Sequence, residues 1–316
     1  MSRTASNSGK KRGVVFAYHN VGVRCLSTLL AHGVEVARVV THRDSPNETI
    51  WFDNVAELAA RHDIPAIMPE DPNDPAVVAE LAALRPDFLF SFYYRLMLKA
   101  PLLALPGDGA YNMHGSLLPK YRGRVPVNWA IIRGERETGA TLHEMVEKPD
   151  AGRIVAQQAV PILPNDTALE VFNKVTLAAE IALDGVLSAL LAGHAPATPQ
   201  DLSQGSYFGG RKAEDGRIDW SGSARDVHNL IRAVAPPYPG AFFDTAHGRF
   251  RILRSLQAGD TTGDYETPTL FVRDGRLFAQ CGDRQVLRLL AVEFEGHEVS
   301  APSLFALIGA SFLSLT

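Results

Sequence analysis

The chain has 316 residues, 46% hydrophobic and 21% charged, which supplies a sizeable core and suggests about two domains at roughly 150 residues each. Its formal net charge of −4 excludes an overall positive field able to concentrate RNA, DNA or an anionic membrane surface. Cys25 and Cys281 are its only cysteines, too few for a disulfide framework and too dispersed for a zinc site, as befits a reducing cytoplasm.

Residues 1–12 form a polar leader, expected to be disordered, and the apolar run behind it is too short for a signal peptide. Strands at 14–18 and 34–41 then bracket a helix at 21–31 that Gly33 closes, a β-α-β unit. The alternation continues with helices at 52–61 and 75–84, strands at 64–68 and 88–94, a short helix at 97–104 and a strand at 110–114. A helix at 125–133 precedes strands at 138–146 and 154–161, and Thr167 with Glu170 resembles a capping box for a long helix to Leu191. Glu180 and Asp184 interrupt that helix, so no membrane insertion is expected. Strands so continuously apolar between helices indicate a Rossmann-like, doubly wound, mostly parallel α/β sheet over residues 13–194. Residues 195–212, rich in Pro and Gly, read as a linker. A helix at 224–234 and five short strands between 241 and 294 then suggest a smaller C-terminal OB-like β-barrel domain over residues 213–316.

The first strand leads into His19-Asn20-Val21-Gly22, which lacks the three glycines that cradle a dinucleotide, so a redox Rossmann enzyme is disfavoured. A doubly wound sheet still opens a crevice at the carboxyl ends of its strands, which directs attention to the loops after Tyr94 and His114. Asn112 and His114, two apart on a strand, leave the same face. An amide N–H can donate to an oxygen gaining charge, and an imidazole can move a proton near neutral pH. Spacing alone favours the plainer reading, a buried polar pair satisfied by neighbouring loops. Asp150-Ala151-Gly152 reads as a turn, or as a carboxylate beside an imidazole that orients it and favours its protonated form. His19, His32, His42 and His62 are expected at the surface or in loops rather than on a metal, and no metal-ligand spacing occurs. Trp51, Trp129 and Trp220 read as packing residues. Lys120, Arg122 and Arg124 form a short basic loop, either solvated or in contact with anionic groups of a ligand.

The run Asn112-Met113-His114-Gly115-Ser116-Leu117-Leu118-Pro119-Lys120-Tyr121-Arg122-Gly123, followed by Asp150-Ala151-Gly152, resembles the signature of formyltransferases that use 10-formyltetrahydrofolate. Residues 15–19, 90–95, 128–129 and 215–220 resemble the branch of that family found as the formyltransferase half of bifunctional polymyxin-resistance proteins, and the resemblance covers nearly the whole chain. It implies an enzyme that formylates the 4-amino group of a nucleotide-linked amino sugar, UDP-4-amino-4-deoxy-L-arabinose, in lipid A modification. It implies 10-formyltetrahydrofolate as co-substrate, no metal, a small-molecule nucleotide sugar as partner and no nucleic acid.

The resemblance also implies roles: Asn112 stabilises an oxyanion, His114 shuttles a proton, and Asp150 orients His114 and raises its pKa. Folate contacts are expected from Leu96, Met97, Leu98 and Arg124 and from the loop of Val146, Glu147, Lys148, Pro149 and Asp150. Position 96 departs from the branch, where histidine is expected, which leaves a backbone contact there. The branch fuses a dehydrogenase after the formyltransferase, whereas this chain ends at Thr316, so oxidative decarboxylation is expected elsewhere. Methionyl-tRNA formyltransferase shares donor and motif but is disfavoured by the net charge and by the lack of a basic insertion after His19. A noncatalytic folate or nucleotide binder needs no Asn112, His114 and Asp150 together, and formyl hydrolysis needs no acceptor.

Overall fold

In the computed structural model, which describes residues 10–46, 48–262, 264–308 and 312–315, the chain alternates strands and helices through its first two thirds. The elements are β1 (Arg12–Ala17), α1 (His19–Ala31), β2 (Glu35–Val40), α2 (Val55–Arg61), β3 (Ala66–Ile67), α3 (Pro75–Ala83) and β4 (Phe88–Phe92). There follow α4 (Ala100–Leu103), β5 (Gly109–His114), β6 (Arg122–Gly123), α5 (Pro126–Ile132), β7 (Glu137–Glu144), β8 (Ile154–Pro161) and α6 (Ala168–Leu191). The expected leader lies outside the described residues over 1–9, but its last residue, Arg12, belongs to β1, where its N–H donates to Asp87 Oδ2 at 2.7 Å.

Local chemistry sets several boundaries. Asn54 accepts from the N–H groups of Ala56 and Glu57 to start α2, and Asp74 caps α3 ahead of Pro75. At α6 the reciprocal bonds of Thr167 and Glu170 form the capping box read from the sequence. The helix expected at 97–104 shrinks to α4. Asn73 donates to the carbonyl of Met97 at 2.9 Å and accepts from Lys99 N–H at 2.8 Å, holding 97–99 as a loop by satisfying its backbone from the side.

The sheet runs β3-β2-β1-β4-β5-β7-β8, parallel from β3 to β5, with β7 antiparallel to β5. Its order reverses between β1 and β4, the topological switch point at which open α/β sheets bind ligands. Phe88, Phe90 and Phe92 stack along one face of β4, with centroids 5.7 Å apart at each step. On the other face Val14, Phe16 and Leu89 pack with Leu81 of α3 and Leu102 of α4. Each side covered by apolar contacts removes water from both faces, which is why these strands read as unbroken apolar runs.

The remaining elements are β9 (Tyr207–Phe208), α7 (Ala224–Ala233), β10 (Ala241–Thr245), β11 (Gly248–Thr262), β12 (Thr269–Arg273), β13 (Arg276–Gln280), β14 (Gln285–Phe294), β15 (His297–Glu298), α8 (Ala301–Ile308) and β16 (Phe312–Ser314). An antiparallel sheet runs β10-β11-β14-β13-β12-β16 as an open path. Ser223 caps α7, whose Val227 and Ile231 enter a core with Trp220, Phe243, Phe250, Leu287 and Leu304. The chain forms two compact units. One takes the described residues up to Gly123 with Gly139–Val160 and Lys174–Tyr207; the other takes Arg124–Thr138, Pro161–Asn173 and the described residues from Phe208 onward.

Candidate active site

The carboxyl end of β5 presents Asn112 and His114 on one face, and the antiparallel register of β7 sets His143 directly opposite Asn112. His143 Nδ1 lies 2.7 Å from the carbonyl of Glu144 and therefore donates to it. In the neutral ring its Nε2 then accepts from Asn112 Nδ2 at 3.1 Å, which fixes the amide and leaves its second N–H for an incoming oxygen. His114 Nε2–H donates to the carbonyl of Tyr121 at 2.8 Å, so Nδ1 is the proton-accepting nitrogen of the neutral ring. The turn that supplies this carbonyl is held by its own motif residues. Buried Ser116 donates to the carbonyl of Lys120 at 2.7 Å, and its own carbonyl accepts from Thr141 Oγ1 at 2.6 Å.

Asp150 reaches both imidazoles, with Oδ1 at 3.6 Å from His114 Nδ1 and 3.5 Å from His143 Nε2, while Oδ2 accepts from Gly123 N–H at 2.9 Å. Burial by itself favours the neutral acid, but the positive charge that His114 and His143 carry when protonated, together with the Gly123 N–H, outweighs it and holds the carboxyl well below its ordinary value. Asp150 takes a left-handed φ of +52°. A Cβ on Gly152 would stand 1.9 Å from the carbonyl oxygen of Glu144, so the Asp-Ala-Gly turn can pass the end of β7 only with glycine there. Gln200 closes the turn by donating to the carbonyls of Asp150 at 3.1 Å and Gly152 at 2.6 Å.

The structure thus brings Asn112, His114 and Asp150 together and adds His143 and Gln200, which the sequence reading missed. The signal for His143 was its place on the strand leading to Asp150, but its partner depends on strand register. Among the expected folate residues, Leu96, Met97 and Val146 are exposed, as are Glu147 and Lys148, and Pro149 is half-buried. Leu98 is buried among Phe16, Leu102 and Tyr94, so its side chain is committed to the core. Met145 packs against the same cluster, which draws the loops after β4 and β7 together. Arg124 is exposed, with its N–H on the carbonyl of Phe208 at 2.9 Å.

Some expectations are corrected. Arg122 is buried rather than a solvated loop cation. His19 is buried too: it stacks on Phe52 with centroids 3.9 Å apart, and burial pushes its pKa down to about 3. Trp129 packs as expected, its ring stacked on Phe208 with centroids 4.8 Å apart. Burial pushes the Cys281 thiol up to about 12, leaving it inert at neutral pH. No helix among the described residues is long and apolar enough to cross a membrane, and no group of three His, Cys, Asp or Glu side chains among them is placed to hold a metal ion.

Residues 21–187 match the family described as Formyl transferase, and residues 211–307 match Formyl transferase, C-terminal domain. The chain belongs to the formyltransferase family. Solved structures share this formyltransferase's fold. One is the N-formyltransferase from Helicobacter canadensis, in complex with folinic acid and dTDP-3-aminofucose, at TM-score 0.72 and 20% identity over 89% of this chain and 99% of that one. WlaRD, a sugar 3N-formyl transferase in the presence of dTDP and 5-N-formyl-THF, matches at TM-score 0.67 and 19% identity, over 89% and 98%. A likely sugar N-formyltransferase from Mycobacterium tuberculosis matches at 0.59 and 21%, over 76% and 94%.

Proposed function

We propose that this formyltransferase moves the formyl group of 10-formyltetrahydrofolate to the amine of a nucleotide-linked amino sugar, and that its preferred acceptor is the 4-amino group of UDP-4-amino-4-deoxy-L-arabinose. The observation that carries the chemistry is the cluster at the end of β5, where an amide N–H donor, an unprotonated imidazole nitrogen and a buried carboxylate converge.

The donor supplies an activated formyl carbon and a planar, largely apolar body. Leu96, Met97 and Val146 expose apolar side chains suited to that body, on the two loops whose residues Leu98 and Met145 share one apolar cluster. Leu98 would contribute through its backbone, and Glu147, Lys148, Pro149 and Arg124 would complete the contacts. Asn112 donates its free N–H to the formyl oxygen as charge builds there during attack by the neutral amine. His114 takes the amine proton at Nδ1 and returns it to the departing nitrogen of the folate. Asp150 stabilises the imidazolium so formed, and the hydrogen bond from Nε2 to the carbonyl of Tyr121 keeps Nδ1 pointed at the reaction.

The solved relatives that carry dTDP or a dTDP-amino sugar support a nucleotide-sugar acceptor, and the sequence resemblance over residues 90–95 and 215–220 favours the 4-amino-arabinose branch. The net charge of −4 argues against tRNA, which requires several phosphates to be neutralised. The test is a side-by-side measurement of kcat/KM with UDP-4-amino-4-deoxy-L-arabinose, other UDP- and dTDP-amino sugars, methionyl-tRNA and no acceptor. The arabinose nucleotide should rank first, with tetrahydrofolate and formamide formed in equal amounts. A higher kcat/KM with methionyl-tRNA, or formate release without acceptor, would overturn the assignment.

A further inference from the structure

Two clefts differ in how their charges are satisfied. The larger, about 570 Å³, is lined by Lys11, Asp108, Tyr111, Glu144 and Arg153 and by the chain after α6. Its charges pair with each other, Lys11 with Asp108 and Arg153 with Glu144, so it presents no cation in want of an anion. The smaller, about 120 Å³, lies within the second unit, with Arg211 and Lys212 as its charged lining and Val125, Asn128, Tyr238 and Pro239 among its walls. It has no carboxylate in its wall.

Arg211 is the informative residue. Its guanidinium is half-buried over the Trp129 ring, 4.8 Å from the centroid, and its Nη2 donates to the carbonyl of Asp215 at 2.6 Å. The Asp215 carboxylate is used elsewhere: Oδ2 accepts from the backbone N–H of Lys212 at 2.6 Å. Arg211 forms no ion pair among the described residues, and burial lowers its pKa more than the nearby charge of Asp215 raises it. Trp129 is in turn pinned, with Nε1 donating to the carbonyl of Gly209 at 3.0 Å, so the platform beneath Arg211 is fixed. On the floor, a Cβ on Gly216 would stand 2.9 Å from the carbonyl oxygen of Gly240, so two backbone segments meet at glycine contact distance. The pocket is therefore built, and its wall carries two cations and no carboxylate.

We infer that this pocket binds the diphosphate of the acceptor, with Arg211 as the forked donor and Lys212 as the point charge. The inference rests on the nucleotide-sugar reading above and names the residues that read the nucleotide's charge. Two cations match a diphosphate better than a single carboxylate, and a guanidinium fixed by stacking presents planar donors to phosphate oxygens with little ordering cost. A space of this size holds phosphate groups rather than a whole nucleoside, so the base and sugar extend beyond it.

The experiment compares wild type with Arg211→Gln, Lys212→Gln and Arg211→Lys. It reads kcat and separate KM values for nucleotide sugar and 10-formyltetrahydrofolate, together with calorimetric binding of inorganic pyrophosphate. Losing one charge-assisted contact should raise the acceptor KM and weaken pyrophosphate binding about tenfold or more, with the donor KM within twofold and Arg211→Lys intermediate. An unchanged acceptor KM in folded, active Gln variants overturns the inference alone. A rise confined to the donor KM assigns the pocket to the folate's carboxylate tail and overturns it equally. Absence of wild-type turnover with every nucleotide sugar overturns the functional reading beneath it.

Discussion

Replacing Asp150 by Asn keeps shape and removes charge, which isolates the electrostatic part of the mechanism. Asn Oδ1 can still accept from Gly123 N–H, so the turn closed by Gln200 should survive. What disappears is an anion 3.6 Å from His114 Nδ1. At an effective dielectric near 20, two unit charges at that distance attract by about 4–5 kcal/mol. If about half of the positive charge has reached the imidazole in the transition state, about 2 kcal/mol of stabilisation is lost, or about a thirtyfold fall in kcat. Stopped assays of tetrahydrofolate release at saturating donor and acceptor measure it, with the donor KM changing far less than kcat. Thermal unfolding adds a second readout. The folded carboxyl titrates below its ordinary 3.8, so its contribution is present above that value and is lost as pH falls through the folded pKa. The difference in Tm between wild type and Asp150→Asn should therefore narrow from pH 5 toward pH 2. A folded Asp150→Asn enzyme with kcat within threefold of wild type would refute the reasoning.

Other outcomes follow from the same geometry. Asn112→Ala should cost about 10²- to 10³-fold in kcat with little change in donor KM, and His143→Ala, which frees the Asn112 amide, should cost about tenfold, both by steady-state kinetics. Gly152→Ala must displace the carbonyl of Glu144, so denaturant unfolding should show a loss of about 3 kcal/mol, and activity should fall with the displaced Asp150 turn. Burial, aided by the charge of Arg95, lowers His19 to about 3 from 6.5, so the unfolded chain takes up that proton first. Its stabilising share is complete above pH 6.5 and is lost on acidification toward pH 3. His19→Asn, which suits the local φ of +67°, should lose less Tm between pH 6.5 and 4 than wild type does.

Much of the fold was legible because its determinants are local. Continuous apolar runs declared strands buried on both faces, Thr167 and Glu170 declared the start of α6, and the Asn112 to Gly123 run with Asp150-Ala151-Gly152 declared both chemistry and family. Tertiary contacts decided the rest. His143 became the partner of Asn112 only when β7 paired antiparallel to β5, since a shift of one residue would turn it to the other face. The loop at 97–99 escaped the helical pattern because Asn73, distant in sequence, took over its backbone bonds. Arg122 and Arg124 look alike in sequence, yet one is buried and the other exposed, because burial follows from what the folded chain lays over each side chain. Residues 124–138 and 161–173 likewise join the compact unit that begins again at Phe208, a grouping made by contacts between distant segments and absent from any local pattern.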